Sequence, residues 1–242
     1  MGGGTGLKAL VLLSGGLDST TVLSHALSKG YGVTCLSFDY GQRHSIELES
    51  SKKIAERMGV ERTVFSLNLR QFGGSSLTSD VDVEHGKIHR EEIPNTYVPG
   101  RNIIFLSIAG AFADIRNCER IMIGVNAVDY SGYPDCRPEF ISSMEKSLKT
   151  GLAFSPNLKI EAPLQEMSKA EIIKYGMSLG TPYELTHSCY LGNEEACGKC
   201  DSCLLRLKGF MEADLEDPVK YSHHPDFYKN YMEIKKGKKS VR

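Results

Sequence analysis

Residues 8–19 read KALVLLSGGLDS, a continuous apolar run followed by a glycine turn and an acidic residue. A short, uninterrupted apolar run is typical of a strand that is buried on both faces, as in a parallel sheet. The residues after the turn place apolar side chains on one helical face, at Val22, Leu23, Ala26 and Leu27. Gly30 is a suitable C-terminal cap for that helix. The stretch therefore predicts a strand, a tight turn and a helix.

The same alternation of strand and helix continues along the chain. Further strands are predicted over residues 33–38, 62–66, 120–125 and 159–162. Helices are predicted before Gly59, over residues 102–115, which are apolar nearly all round and so expected to be buried, over 137–148, and after Ser168. Ser168-Lys-Ala-Glu171 forms a capping box, and Ile172, Ile173 and Met177 are expected to face inward. This rhythm predicts an α/β fold with a doubly wound parallel sheet.

The periodicity ends near residue 182, where a cysteine-rich segment begins. We therefore predict an α/β domain over residues 7–181 and a small C-terminal metal-binding segment with a tail over residues 182–242. Residues 70–99 mix glycine, serine, charge and proline without periodicity. A loop of that length is uncommon unless it is functional or mobile.

Composition narrows the class of protein. The 242 residues are 40% hydrophobic with a formal net charge of -1, which favours a packed enzyme or binding domain over a nucleic-acid coat. The basic run at the C-terminal end is typical of a solvated terminus rather than a binding arm.

The sequence predicts neither a secretory leader nor a membrane span, so we expect a cytoplasmic protein. In that compartment the seven cysteines are expected to be metal ligands, reactive thiols or core residues.

The glycine turn has the chemistry of a phosphate site. The N-terminus of a helix presents unpaired N–H groups and the positive end of a dipole, and glycines let the backbone approach a phosphate. Ser14 and Ser19 add hydroxyl donors, and Asp18 is suited to hold Mg²⁺ against the phosphates. The alternative is a tight turn with a polar cap and no ligand.

The pattern SGGxDS directly after a strand resembles the loop of the ATP-pyrophosphatase (PP-loop) family, and it lacks the lysine of a Walker A loop. The resemblance implies an adenine-nucleotide alpha-hydrolase-like fold that cleaves ATP between its α and β phosphates and activates an oxygen as its adenylate. It implies catalytic roles for Ser14, Asp18, Arg101 and Lys169, the last of which is aimed at the polyphosphate. It implies nucleotide binding by Leu13, Ser14, Gly15, Gly16, Leu17, Asp18, Ser19 and Thr20, and by Phe38 and Gln42 at the end of the second strand.

Four cysteines follow in the pattern C-x7-C-x2-C-x2-C, at Cys189, Cys197, Cys200 and Cys203. Four thiolates form the closed tetrahedral shell of a structural zinc site. The C-x2-C-x2-C part is also found in ferredoxin-type iron–sulfur motifs, but the Cys-Pro that should follow is absent. The pattern therefore favours one structural zinc per chain over an iron–sulfur cluster. We expect His187 to lie beside this site or at the surface rather than to bind the metal.

Two further strings have the residues of a substrate site. Residues 97–102 (YVPGRN) place Arg101 and Asn102 after a Pro-Gly turn, and Arg101 is suited to bind a carboxylate or phosphate. Residues 129–140 mix carboxylates with tyrosines and Cys136, a candidate nucleophile. The predicted substrate-binding residues are Tyr97, Arg101, Asn102, Asp129, Tyr133, Asp135 and Phe140. The alternative for both strings is an ordered loop with surface charges.

Taken together, SGGLDS, FDYGQRH, YVPGRN, VNAVDYSGYPDCRPEF and the four cysteines resemble, over residues 9–203, the nitrile-forming branch of the PP-loop family that serves queuosine biosynthesis. The resemblance implies a carbon–nitrogen ligase whose partners are 7-carboxy-7-deazaguanine, free ammonia and ATP, acting through an adenylated acid and an amide. It also implies a homodimer that does not bind nucleic acid directly.

Two alternatives remain open at this stage. One is a PP-loop enzyme that thiolates tRNA, which would need a reactive thiol such as Cys136 near the loop. The other is a non-catalytic, zinc-bearing nucleic-acid module.

Overall fold

The computed structural model describes residues 6–42, 46–79, 82, 93–126, 128, 133–153, 157–191 and 194–239. Five strands form one parallel sheet: β1 (Lys8–Leu12), β2 (Gly32–Asp39), β3 (Glu61–Ser66), β4 (Arg120–Met122) and β5 (Lys159–Glu161). Their order across the sheet is β3-β2-β1-β4-β5. After β1 the chain places β2 and β3 on one side of it, and then crosses back to place β4 and β5 on the other side. This confirms the predicted doubly wound sheet.

The helices that connect and cover the strands are α1 (Leu17–Ser28), α2 (Ile46–Met58), α3 (Arg101–Arg116), α4 (Pro138–Gly151), α5 (Lys169–Ser178), α6 (Asp201–Glu212) and α7 (Asp226–Lys239). Gly30 follows α1 with a positive φ of 74°, as expected of its capping position. At α5 both hydrogen bonds of the predicted capping box are present: the Ser168 hydroxyl accepts the Glu171 N–H, and the Glu171 carboxylate accepts the Ser168 N–H. Within the described residues, no helix combines the length and apolarity needed to cross a bilayer.

Alternation along β1 divides the core between the two faces of the sheet. Leu10 and Leu12 pack on one face with α3 and α4, while Ala9 and Val11 pack on the other with α1, α5 and α6. The second core also takes in Tyr183 and Phe210, whose ring centroids are 5.8 Å apart. Burying such a ring stabilises the fold by about 1.5–3 kcal/mol. The segment after residue 182 therefore packs directly against the sheet domain, and the division between the two stays a prediction.

Two expectations about buried helix faces are wrong. α3 is not buried all round, since Ile103 and Ile115 are 48% and 78% exposed. A helix that covers one face of a sheet buries only one stripe of its surface. Met177 does not face inward and is 49% exposed. It lies five residues after Ile172, which is about 140° around the helix from that buried side chain.

Candidate active site

A cavity of about 240 Å³ opens at the carboxyl ends of the central strands. Its floor is formed by the ends of β1 and β2 and by the residues that follow β4, among them Leu13, Phe38 and Ile123. β1 and β4 are neighbours in the sheet although the chain visits β2 and β3 between them. Ligands of doubly wound sheets bind at such a reversal of strand order. The position of the cavity therefore follows from the topology.

The glycine loop forms one wall of this cavity and is held by its own hydroxyls. The hydroxyl oxygens of Ser14 and Ser19 are 3.0 Å apart, and the backbone N–H of Gly16 donates to Ser14 Oγ at 3.3 Å. Thr20 is buried and donates its hydroxyl to the Gly16 carbonyl at 2.7 Å. No side chain caps the start of α1 at Gly16. The Leu17 N–H donates to Ser188 Oγ at 3.4 Å, and the next N–H groups of α1, those of Asp18 and Ser19, remain to bind an anion in the cavity.

Gly15 is required by both its conformation and its surroundings. Its φ is 92°, a region that residues with a Cβ rarely adopt. A Cβ at this position would overlap the Glu47 carbonyl oxygen and approach the Ser51 nitrogen to 2.8 Å. The first turns of α2 are thus packed directly against the glycine loop.

Asp18 and Lys169 meet at the loop from opposite ends of the domain. Lys169 Nζ lies 2.7 and 2.9 Å from the two carboxylate oxygens of Asp18. The Lys169 side chain is only 8% exposed, which excludes a solvated lysine at the start of α5. Its alkyl stem lies against Gly209 of α6, where a Cβ would overlap it. Packing between α5 and α6 therefore fixes where this ammonium group points.

The YVPGRN string forms the opposite wall. Asn102 donates its backbone N–H to Asp135 Oδ2 and its side-chain amide to the Asp135 carbonyl, both at 3.1 Å. Tyr133 packs on Tyr97 with ring centroids 5.3 Å apart. Burial opposes the charge of Arg101, but Tyr40, Tyr133 and Asp135 raise the pKa of its guanidinium. The wall therefore presents a permanent cation to the cavity.

The cavity brings together most of the residues predicted from the sequence. Those that line it are Leu13, Ser14, Gly16, Leu17, Asp18, Ser19, Phe38, Gln42, Arg101, Asn102 and Tyr133. The predicted residues that support it from behind or lie beside it are Gly15, Thr20, Tyr97, Asp135 and Lys169. Phe140 packs against the core beneath the sheet, and Asp129 lies outside the described residues.

Cys136 also lines the cavity, but its thiol is not activated. Burial, with a further contribution from Asp135, raises its pKa to about 12. Asn102 Nδ2 lies 3.7 Å from its sulfur. Because the thiolate is the reactive form, a thiol with that pKa is a poor nucleophile at neutral pH.

The sequence reasoning missed Glu47, Ser188 and Tyr190, which line the cavity, and underestimated His187. His187 is 5% exposed, so of its two expected positions the one beside the cysteine cluster fits and the one at the surface does not. Its backbone N–H donates to the Gly15 carbonyl at 2.9 Å, and the Leu17 N–H donates to Ser188 Oγ at 3.4 Å. Burial raises the pKa of the Glu47 carboxyl, while the charge of Arg101 lowers it. The available signal was adjacency to motifs: Glu47 follows FDYGQRH, and residues 187–190 surround Cys189.

The four cysteine sulfurs form the predicted cluster. They all lie within 4.8 Å of one another, and Cys197 Sγ and Cys203 Sγ are 3.8 Å apart. Tetrahedral ligands at the Zn–S distance of about 2.3 Å would be separated by about 3.8 Å. Cys197 Sγ accepts backbone N–H groups of Lys199 and Cys200, each at 3.3 Å. The donor set and its spacing therefore fit a metal ion held by four thiolates.

A buried ion pair ties this cluster to the cavity. Arg206 of α6 donates to Asp217 at 2.7 and 2.9 Å, and to the Thr186 hydroxyl at 2.6 Å. Tyr221 donates its hydroxyl to the same carboxylate at 2.7 Å. Thr186 immediately precedes the residues that contact the glycine loop. The C-terminal segment is thus part of the frame of the site.

Comparisons with known proteins agree with this geometry. Residues 8–214 match the family model described as queuosine biosynthesis protein QueC. A protein of Thermoplasma acidophilum named 7-cyano-7-deazaguanine synthase is 56% identical over 95% of this chain and 98% of its own length. One with the same name from Oceanobacillus iheyensis is 55% identical over 90% of this chain and 99% of its own. The NMN synthetase structure of Francisella tularensis shares the fold, with a TM-score of 0.50 and 15% identity over 88% of this chain and 79% of that one.

Proposed function

The chain belongs to the family of queuosine biosynthesis protein QueC, and we propose that it converts 7-carboxy-7-deazaguanine and ammonia into 7-cyano-7-deazaguanine with ATP. It is an enzyme, since its relatives at 51–56% identity are named as synthases. The observation that supports the proposal is that likeness together with a cavity lined by both the glycine loop and the half-buried Arg101. The glycine loop is suited to bind the phosphates of a nucleotide, and Arg101 is suited to bind the carboxylate of an acid.

The carboxylate oxygen of the substrate is a poor leaving group, so the reaction first converts the acid into an adenylate, from which AMP leaves readily. A carboxylate oxygen of the substrate attacks the α phosphate of ATP, and pyrophosphate leaves. Ammonia then attacks the carbonyl carbon and AMP departs, which gives the amide. A second ATP adenylates the amide oxygen, and loss of AMP with the remaining two N–H protons leaves the nitrile. In total, acid, ammonia and two ATP give nitrile, two AMP and two pyrophosphate.

The residues around the cavity have distinct roles in this scheme. The N–H groups at the start of α1 and the hydroxyls of Ser14 and Ser19 hold the phosphates. Lys169 opposes the charge that develops on the departing pyrophosphate, and Asp18 keeps Lys169 in place. Arg101 draws the substrate carboxylate to the α phosphate, and such positioning supplies a large part of the rate. Mg²⁺ held by Asp18 would add charge neutralisation at the phosphates.

The base of the substrate is assigned to the wall opposite the glycine loop. We expect Tyr133 to stack on the deazaguanine ring, supported by Tyr97, while Asn102 lies beside it. Phe38 and Gln42 lie at the end of β2, where the adenine is expected. Asp135 acts through Asn102, because its carboxylate accepts the Asn102 N–H.

The test is a reconstitution with purified protein, carboxydeazaguanine, ATP and ammonium. We expect nitrile and AMP with the parent, and a loss of at least a hundredfold in AMP formation with Asp18→Asn and Ser14→Ala variants. Asp226→Asn is the matched control, because that carboxylate is exposed on α7. Folded Asp18→Asn and Ser14→Ala variants that turn over at the parental rate would refute the assignment.

The metal in the four-cysteine cluster is proposed to be a single structural zinc, because four thiolates leave no coordination position for a substrate. Elemental analysis should give one zinc per chain in a colourless protein. A brown protein with visible absorption would identify an iron–sulfur cluster instead.

The tRNA-thiolating alternative is not favoured, because Cys136 is an inactive thiol and the relatives are named as synthases. A non-catalytic nucleic-acid module is not favoured either, because the relatives are named as synthases. We further propose a cytoplasmic homodimer without nucleic-acid partners. The seven free thiols support a reducing compartment, and sedimentation of the purified protein tests the dimer.

A further inference from the structure

A second, smaller cavity adjoins the main one. Its volume is about 30 Å³, and its walls include Ile46 and Cys189. Five of its seven lining residues also line the main cavity: Tyr40, Gln42, Glu47, Leu77 and Tyr190. The two spaces therefore share a wall, and the smaller is a side chamber of the larger.

The size of the side chamber limits what it can hold. To hold one water molecule, a cavity needs roughly 10–15 Å³ of volume that the centre of a water-sized sphere can reach, the same measure as the volume given above. The chamber therefore accommodates one or two molecules of the size of water or ammonia. Neither the deazaguanine ring nor any part of ATP larger than a single small group fits there.

The chemistry of its walls suits a small cation. Glu47 is the carboxylate that lines both spaces, and none of the described residues donates a hydrogen bond to its side chain. Tyr40 and Tyr190 add aromatic rings and hydroxyls, and Gln42 adds an amide. Ammonium is attracted both to carboxylates and to the faces of aromatic rings.

The charged and titratable groups facing Glu47 are Arg101, His187 and Cys189. Arg101 lines the main cavity and is not among the residues that line the side chamber. Two cations on opposite sides of one carboxylate are then compatible.

Glu47 also lies close to the glycine loop. Its backbone packs so closely on Gly15 that no Cβ fits between them, so the start of α2 is in contact with the phosphate loop. A nitrogen nucleophile bound beside Glu47 would therefore adjoin the cavity that Ser14, Gly16 and Arg101 also line.

We propose that the side chamber is the binding site for the nitrogen substrate and that the Glu47 carboxylate binds it as ammonium. This inference rests on the proposed function and adds to it the position of the second substrate. Glu47 is thus assigned as a binding residue for ammonium.

The test compares the two half-reactions in Glu47→Gln and in the matched control Glu49→Gln, whose carboxylate lies on the same helix, is about half exposed and pairs with Lys53. Exchange of pyrophosphate into ATP in the presence of the acid, without ammonium, measures adenylation alone. Glu47→Gln should change that exchange far less than it changes the KM for ammonium. The KM for ammonium in amide formation should rise by about tenfold to a hundredfold, the effect of losing one charge-assisted hydrogen bond. Glu49→Gln should change neither quantity.

A second variant tests the side chamber while keeping the Glu47 carboxylate. Ile46 lines only the smaller space, so Ile46→Phe should also raise the KM for ammonium while leaving exchange intact. An unchanged KM for ammonium in a folded Glu47→Gln variant would overturn the inference. So would a rise confined to the KM for the acid, which would assign Glu47 to the base. Absence of exchange in the parent protein would instead reject the proposed function itself.

Discussion

Replacing Gly209 with alanine tests whether the packing of two helices sets the reactivity of the site. A Cβ at this position would overlap Lys169 Cγ and lie 2.9 Å from Lys169 Cβ and 3.0 Å from Ile173 Cδ1. Overpacking of this kind costs about 1–3 kcal/mol. Alanine also favours the helix over glycine by about 1 kcal/mol, which offsets part of that cost. We therefore expect the free energy of unfolding to fall by only about 0–2 kcal/mol.

The effect of Gly209→Ala on catalysis should be much larger than its effect on stability. The stem of Lys169 has to move away from α6, and its Nζ lies only 2.7 Å from Asp18 at present. A displacement of about 1 Å in a catalytic group can cost about a hundredfold in rate. The assay is pyrophosphate exchange into ATP, measured beside urea unfolding of the same sample. Gly237→Ala is the control, because its Cβ would meet nothing within 4 Å.

A double-mutant cycle separates displacement of the lysine from a general disturbance. If Gly209→Ala acts through Lys169, it should have little further effect in a Lys169→Ala background. Full exchange activity in a Gly209→Ala protein that has lost stability would refute the reasoning, because the lysine would then tolerate being moved. Equal additive losses in both backgrounds would also refute it.

Three further outcomes follow from the same structure. Asp217→Asn should lower the free energy of unfolding by about 3–5 kcal/mol in urea titrations, because it leaves the buried Arg206 charge without its partner; a loss below about 1 kcal/mol would contradict this. Cys136→Ala should keep nitrile formation within about threefold of the parent, since burial raises the pKa of that thiol to about 12, and an inactive but folded variant would show that the thiol takes part. Removing the proposed zinc with a strong chelator should lower the Tm and adding zinc should restore it, because a metal that binds the four clustered cysteines of the folded chain stabilises that state; an unchanged Tm after stoichiometric release of metal would exclude a structural role.

Local pattern was sufficient to predict the sheet, the glycine turn after β1 and the cysteine cluster. In each case neighbouring residues determine the structure: an apolar run forms β1, glycines open the turn after it, and C-x2-C spacing brings sulfurs together. The exposure of Ile115 and Met177 was not predictable in this way, because it depends on which helix face meets the sheet. Glu47 was missed for a related reason. Its place in the cavity wall comes from the packing of α2 against Gly15, which is 32 residues away (47 − 15) and outside that helix.

The cysteine segment is the clearest case in which tertiary contacts change the meaning of a motif. From its spacing it reads as an appended structural site, separate from catalysis. In the fold, Cys189 is two residues from His187, whose N–H is bonded to the Gly15 carbonyl, and it follows Ser188, whose hydroxyl accepts the Leu17 N–H. Any shift of Cys189 is therefore transmitted to the two backbone positions that shape the phosphate loop. The proposed zinc should thus influence nucleotide affinity without touching a substrate, and its partial removal should raise the KM for ATP, measured by pyrophosphate exchange, before the protein unfolds.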